Sequence, residues 1–262
     1  MNDARTIFAM GGGGFTMEPD NPVLDDFVLG LSPVREPRIL FLPTASGDPA
    51  AQIAGFHERF AGRACRPAHL SLFRLHGSER TLREVLLEQD IVYIGGGSMR
   101  NLLAIWRAHG LDELLAEAWE RGTVLAGLSA GAMCWFDAGV TRSSGPPQTI
   151  AGLGLLPGSL SVHADGEPER LPVFLEAVRR GEIPGGWAAD DGVGLLFRGT
   201  AFAHAVSSRP GASVCRCDAV DGELVRRRIE PEPLGTSTSG LPLPGGDIDE
   251  LRALLRLRRR AH

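Results

Sequence analysis

The sequence predicts an α/β protein: a flavodoxin-like parallel sheet with helices on both faces and a small antiparallel C-terminal extension. Three observations carry this prediction. Short apolar runs bounded by turn residues read as buried strands: Thr6-Ile7-Phe8-Ala9-Met10, Arg38-Ile39-Leu40-Phe41-Leu42, Asp90-Ile91-Val92-Tyr93-Ile94 and Thr123 to Leu128. Stretches of helical apolar spacing at 22–31, 48–62, 79–88 and 99–121 alternate with them, the βαβα order that makes parallel sheets. Finally, each of these strands runs into a loop rich in glycine or small residues, and in such sheets ligands bind beyond the carboxyl ends of the strands.

Taken in order, the first strand is followed by Gly11-Gly12-Gly13-Gly14, the second by Pro43-Thr44-Ala45-Ser46-Gly47, and the third by Gly95-Gly96-Gly97-Ser98. The fourth ends in Gly127-Leu128-Ser129-Ala130-Gly131. The apolar run Gly152 to Val162 reads as the next strand of the same sheet. Beyond it, Gly194-Leu195-Leu196-Phe197, Ala201 to Val206 and Ser213 to Cys217 read as short strands of an antiparallel edge. Residues 231–247, rich in Pro, Gly, Ser and Thr, read as a loop before a terminal helix at 248–260 whose end is arginine-rich.

A chain of 262 residues, 43% of them hydrophobic, can bury one sizeable core, so the expectation is a single α/β domain over 1–262. Its core spans about 5–200, with edge strands, loop and terminal helix over about 201–262. The 27 basic residues are outnumbered by 32 acidic ones, and no basic stripe is interleaved with aromatics, which argues against nucleic acid as a partner. No run reaches the roughly 18 apolar residues of a membrane span. Four cysteines without a disulfide framework, and an N-terminus without an apolar leader, point to the cytoplasm. Cys215-x-Cys217 lacks a second ligand pair, and the glycine loops lack dinucleotide or P-loop spacing, so no metal and no cofactor are expected. The edge strands and the arginine-rich end would permit a homodimer.

The chemistry centres on Ser129. An apolar strand, Gly-x-Ser-x-Gly and then helix formers make the pattern of a nucleophile elbow, in which a sharp turn presents the serine hydroxyl at a helix start. There the backbone N–H of Ala130 faces the place where an oxyanion would develop, and Gly97 in the neighbouring glycine loop offers a second N–H. A serine nucleophile needs a base. Of the seven histidines, His57, His69, His76 and His109 lie before the elbow, His204 in an edge strand and His262 at the terminus. His163 follows the run expected to end at the same sheet edge as Ser129. For the acid that orients it, Asp165 gives a His-x-Asp spacing, with Asp191 and Asp137 as alternatives.

Taken together, Gly95-Gly96-Gly97-Ser98-Met99-Arg100-Asn101-Leu102-Leu103, the elbow Gly127 to Ala132 and Val162-His163-Ala164-Asp165 resemble the serine peptidases that include peptidase E (α-aspartyl dipeptidase) and, more distantly, cyanophycinase. The resemblance covers about residues 5–200. It implies a class I glutamine amidotransferase-like fold, Ser129 as nucleophile, His163 as base, and Gly97 and Ala130 as oxyanion hole. It also implies hydrolysis of dipeptides or short peptides with an acidic N-terminal residue. Arg170 resembles the position of an arginine that binds a substrate carboxylate, and an ion pair with Glu167 or Glu169 is the other reading of it. An esterase or amidase with the same Ser-His machinery, and a ligand-binding relative that has lost activity, remain as rivals.

Overall fold

The computed structural model describes residues 5–75 and 80–235. In chain order these form β1 (Thr6–Met10), α1 (Gly14–Met17), α2 (Val23–Leu31), β2 (Arg38–Leu42), α3 (Ala50–Phe60), β3 (Arg66–His69), α4 (Leu82–Leu87), β4 (Ile91–Ile94), α5 (Met99–His109), α6 (Leu111–Glu120) and β5 (Val124–Leu128). There follow α7 (Ala130–Met133), β6 (Phe136–Thr141), β7 (Gln148–Ala151), β8 (Leu156–Ser161), α8 (Arg170–Arg179), β9 (Gly186–Ala189), β10 (Val193–Arg198), β11 (Ala201–Ser207), β12 (Val214–Val220), β13 (Glu223–Ile229) and β14 (Glu232–Pro233). The helix expected at 248–260, most of the expected loop at 231–247, His76 and His262 lie outside the described residues.

The main sheet has the order β14-β11-β10-β1-β5-β4-β2-β3, and its β1, β5, β4, β2 and β3 run parallel. Each central strand sends alternate side chains to opposite faces. Phe8, Met10, Phe41, Tyr93 and Ala126 pack with Leu24, Phe27 and Val28 of α2 and Phe56 and Phe60 of α3. Ile7, Ala9, Leu42, Val92 and Leu125 face Leu102 and Trp106 of α5 and Leu115 and Trp119 of α6. A strand buried on both faces needs a continuous apolar run, which is why these four were legible as sequence.

Three expectations are corrected. The run 152–162 is not the next strand of this sheet: β8 pairs with β6 and β9 in a second, six-stranded sheet of order β13-β12-β9-β8-β6-β7. This sheet shares a core with α5 to α7 through Phe136, Leu160, Trp187 and Val214, and α8 covers its other face through Phe174, Ala177 and Val178. The antiparallel extension is therefore divided, since β10 and β11 add to β1 in the main sheet while β12 and β13 add to β9. The stretch 99–121 is two helices, broken at Gly110 with φ 65°, whose N–H caps α5 by donating to the carbonyls of Trp106 and Arg107. No helix among the described residues is long and apolar enough to cross a membrane.

Candidate active site

Strand β5 stops and helix α7 starts within one residue, Ser129, at φ 54° and ψ −114°. A non-glycine residue at positive φ costs of order 1–3 kcal/mol and persists only where its surroundings over-determine it. Here the surroundings are backbone. The Ser129 N–H donates to Met10 O at 3.0 Å, and Ser129 O accepts from the N–H groups of Ala132 and Met133, both at 3.0 Å. The flanking glycines let the elements close in: a Cβ on Gly127 would lie 2.1 Å from Gly131 O, and one on Gly131 2.6 Å from Ile94 O.

His163 sits two residues beyond β8, itself at φ 54°. Although β8 belongs to the second sheet, that sheet packs on the same core, and His163 Nε2 lies 2.8 Å from Ser129 Oγ. On the other side of the ring, Nδ1 lies 2.5 Å from Oδ1 of Asp191, in the turn between β9 and β10. With the proton on Nδ1 directed at this carboxylate, Nε2 is the acceptor for the serine hydroxyl. The side chains of His163 and Asp191 are each 12% exposed, so little water competes for these bonds.

The acid behind His163 is thus Asp191 and not Asp165. The Asp165 carboxylate instead accepts the backbone N–H of Asp191 at 2.8 Å, holding that residue in place from the exposed side. The next residue's turn explains the difference: Gly166 and Glu167 donate their N–H groups to His163 O, folding the chain back so that Asp165 points past the ring. Asp137 is also away from the site, its carboxylate accepting from Gly158 N–H at 2.8 Å. Asp190, adjacent to Asp191, turns to Ser213, accepting from its N–H at 2.8 Å.

The first glycine loop belongs to this site too, a role that sequence reasoning missed. A Cβ on Gly12 would lie 2.0 Å from Asp191 Oδ1 and 3.0 Å from the His163 ring, so the loop backbone forms the wall behind the imidazole and carboxylate. Its signal was a glycine run with no phosphate-binding spacing, which marks close backbone approach.

Ala130 follows Ser129 directly in the chain, and Gly97 follows Gly96, the residue of the glycine loop that comes up against Ser129. The glycine loop passes the elbow so closely that a Cβ on Gly96 would stand 3.3 Å from Ser129 Cβ. Among the described residues, the N–H groups of Gly97 and Ala130 donate to no protein acceptor. Two unspent donors beside a serine at a helix start can receive a developing oxyanion.

Arg170, the first residue of α8, is buried and already paired. Its Nε and Nη2 lie 3.0 and 2.9 Å from Glu167 Oε2, and Nη1 is 3.9 Å from Sδ of Met133 on the elbow helix. Burial lowers its pKa from the ordinary arginine value, and Glu167 offsets part of that. Arg142 brings Nη1 to 3.7 Å of the same Glu167 oxygen, so two guanidinium groups converge on one carboxylate. Chemically, the whole arrangement can activate a hydroxyl, hold an oxyanion and protonate a leaving group.

The model of Peptidase family S51 matches residues 7–205, a span that includes Gly12, Gly97, Ser129, His163, Arg170 and Asp191. YgaJ of Bacillus subtilis (strain 168), an uncharacterized peptidase, is 45% identical over 231 residues, covering 88% of this chain and 100% of its own. Among solved structures, a peptidase from an acI-B1 Actinobacterium superposes with a TM-score of 0.65 at 17% identity, over 88% of this chain and 96% of that one. A Listeria monocytogenes EGD-e protein provisionally named peptidase E gives 0.53 at 16% identity, over 86% and 99%. At these identities the two structures are likenesses of fold.

Proposed function

The chain belongs to peptidase family S51 and is a serine peptidase, and from that premise we propose that it hydrolyses dipeptides or short peptides through an acyl-enzyme on Ser129. The observation that carries the reading is the unbroken relay Ser129–His163–Asp191, at 2.8 and 2.5 Å, on a strained elbow. In this mechanism His163 takes the hydroxyl proton as Ser129 Oγ attacks the scissile carbonyl. Asp191 stabilises the imidazolium that forms and keeps the ring in its working tautomer. The N–H groups of Gly97 and Ala130 receive the oxyanion. His163 then gives its proton to the departing amine, and a water activated by the same imidazole releases the acid and restores Ser129.

A preference for an acidic N-terminal residue is the finer part of the proposal, and Arg170 is the residue that would recognise it. Its guanidinium is held by Glu167, so an Asp-X dipeptide would have to displace that carboxylate or bind alongside it, with Arg142 sharing the charge.

A fluorophosphonate probe tests the reaction class, and a peptide panel tests the substrate. We expect covalent labelling that disappears in Ser129→Ala, with peptidase activity falling on the order of 10⁶-fold. Unlabelled wild-type protein would sink the acyl-enzyme mechanism. Labelling with turnover of esters alone, and of none of Asp-X, Glu-X, Ala-X or N-blocked peptides, would favour the esterase reading.

A further inference from the structure

The relay has a fourth charged member that the reaction scheme does not use. Arg209, in the turn between β11 and β12, places Nη1 3.8 Å from Asp191 Oδ2, the oxygen turned away from His163. Glu18, the residue after α1, aims it: Arg209 Nε pairs with Glu18 Oε1, and Ser208 Oγ donates to Glu18 Oε2 at 2.7 Å. The Glu18 side chain is 8% exposed, so this carboxylate depends on these partners and not on water. The backbone on both sides is anchored as well. Arg59 Nη2 donates to the carbonyls of Glu18 and Pro19 at 2.8 and 2.7 Å, and Ser208 N–H donates to Gly192 O at 2.9 Å. Burial works against the charge on Arg209, and Glu18, Asp191 and Asp165 outweigh it, leaving a firmly protonated guanidinium.

We infer that Arg209, aimed by Glu18, is a positioning residue of the peptidase site: it holds the outer oxygen of Asp191 and keeps the Ser129–His163 pair reactive at lower pH than the pair would be without it. The inference rests on the reading of Ser129, His163 and Asp191 as the catalytic relay. Its physical basis is the charge around the imidazole, which must be unprotonated to accept the serine proton. On one side of the ring Asp191 accepts from Nδ1, and Asp165 stands behind Asp191, accepting its backbone N–H. The Glu167 carboxylate is turned to Arg170 and Arg142, and Glu18 is spent on Arg209. Arg209 is the cation on the Asp191 flank and Arg170 the one on the α8 flank. A positive charge beyond the carboxylate opposes a second one on the ring, so removing Arg209 lets the ring take up a proton at higher pH.

The test is the pH dependence of the rate at which a fluorophosphonate inactivates the full-length enzyme, a readout that needs no peptide substrate. For Arg209→Met we expect the acid limb to move up by about 0.5 to 1 pH unit, and for Arg209→Lys to stay within about 0.2 unit of wild type. A residue that only packs would lower the plateau rate and leave the limb where it is. Coincident limbs in wild type and Arg209→Met overturn the inference. Should that variant fail to fold, an unmoved limb in Arg209→Gln overturns it equally. Wild-type protein that reacts at no pH would instead overturn the Ser129 reading on which it rests.

Discussion

At the scale of single residues, the decision between Asp165 and Asp191 is a decision between two hydrogen bonds of the same carboxylate type. Asp191 accepts from an imidazole that gains charge during the reaction, whereas Asp165 accepts from a backbone N–H whose charge does not change. Asp191→Asn should therefore lower kcat on the order of 10⁴-fold by removing the anion and presenting the wrong tautomer partner. Asp165→Asn keeps an acceptor oxygen and should cost less than about tenfold. Peptidase assays of the two variants at one pH check this, and the reverse ranking would return the acid's place to Asp165. Ser129 was legible because everything that defines an elbow lies within five consecutive residues. The acid was not, because 28 residues, with helix α8 and strand β9 among them, separate His163 from its partner.

At the scale of elements, glycine carries two distinct meanings in this chain. At the elbow it permits contact between backbones, so Gly127→Ala, whose Cβ would meet Gly131 O at 2.1 Å, should destabilise by more than about 2 kcal/mol. In the middle of α3 it only costs entropy. A Cβ on Gly55 would touch the Phe15 ring at 3.8 Å, an ordinary contact, so Gly55→Ala should stabilise by about 0.5–1 kcal/mol. Urea denaturation of both variants separates the two meanings, and an equal response would show that the elbow relaxes more easily than its backbone contacts imply. One element that escaped the sequence has no apolar pattern. Strand β3 reads Arg-Pro-Ala-His, lies at a sheet edge and is largely exposed, so it forms by pairing with β2 and not through burial of its side chains.

At the scale of the whole molecule, the face of the main sheet under α2 and α3 holds a buried polar knot. Asp25 accepts from Tyr93 OH at 3.0 Å, and Arg59 Nε stands 3.2 Å from its other oxygen, close enough to pair although its N–H is not aligned for a hydrogen bond. Burial dominates here. It pushes the Asp25 carboxyl from its ordinary 3.8 up to about 6, against the pull of Arg59 and Tyr93. A carboxyl whose pKa is raised on folding stabilises the fold fully below pH 3.8, and that contribution is lost as pH rises through about 6. Asp25→Asn removes the titration. Its stability relative to wild type should therefore improve by on the order of 3 kcal/mol between pH 4 and pH 7, read from urea unfolding at several pH values. A constant difference across that range would show that burial does not govern Asp25. The same knot reaches the site through Arg59, which holds the backbone at Glu18 and so joins α2 and α3 to the loop that carries Arg209.

By itself the sequence determined the parallel core, the elbow and the identity of nucleophile and base candidates, because each is written in local periodicity or in a few consecutive residues. Only the tertiary structure decided that a second sheet exists, that it delivers His163 to Ser129 from another layer, and that Asp191 stands behind the ring. The same holds for Arg170, whose carboxylate partner within the protein is Glu167, and for Gly12, whose missing side chain makes room for Asp191. The physical reason is common to all of these. Strand pairing and charge pairing between distant segments are settled by which surfaces can be buried together, and a linear pattern records the burial of each surface but not its partner.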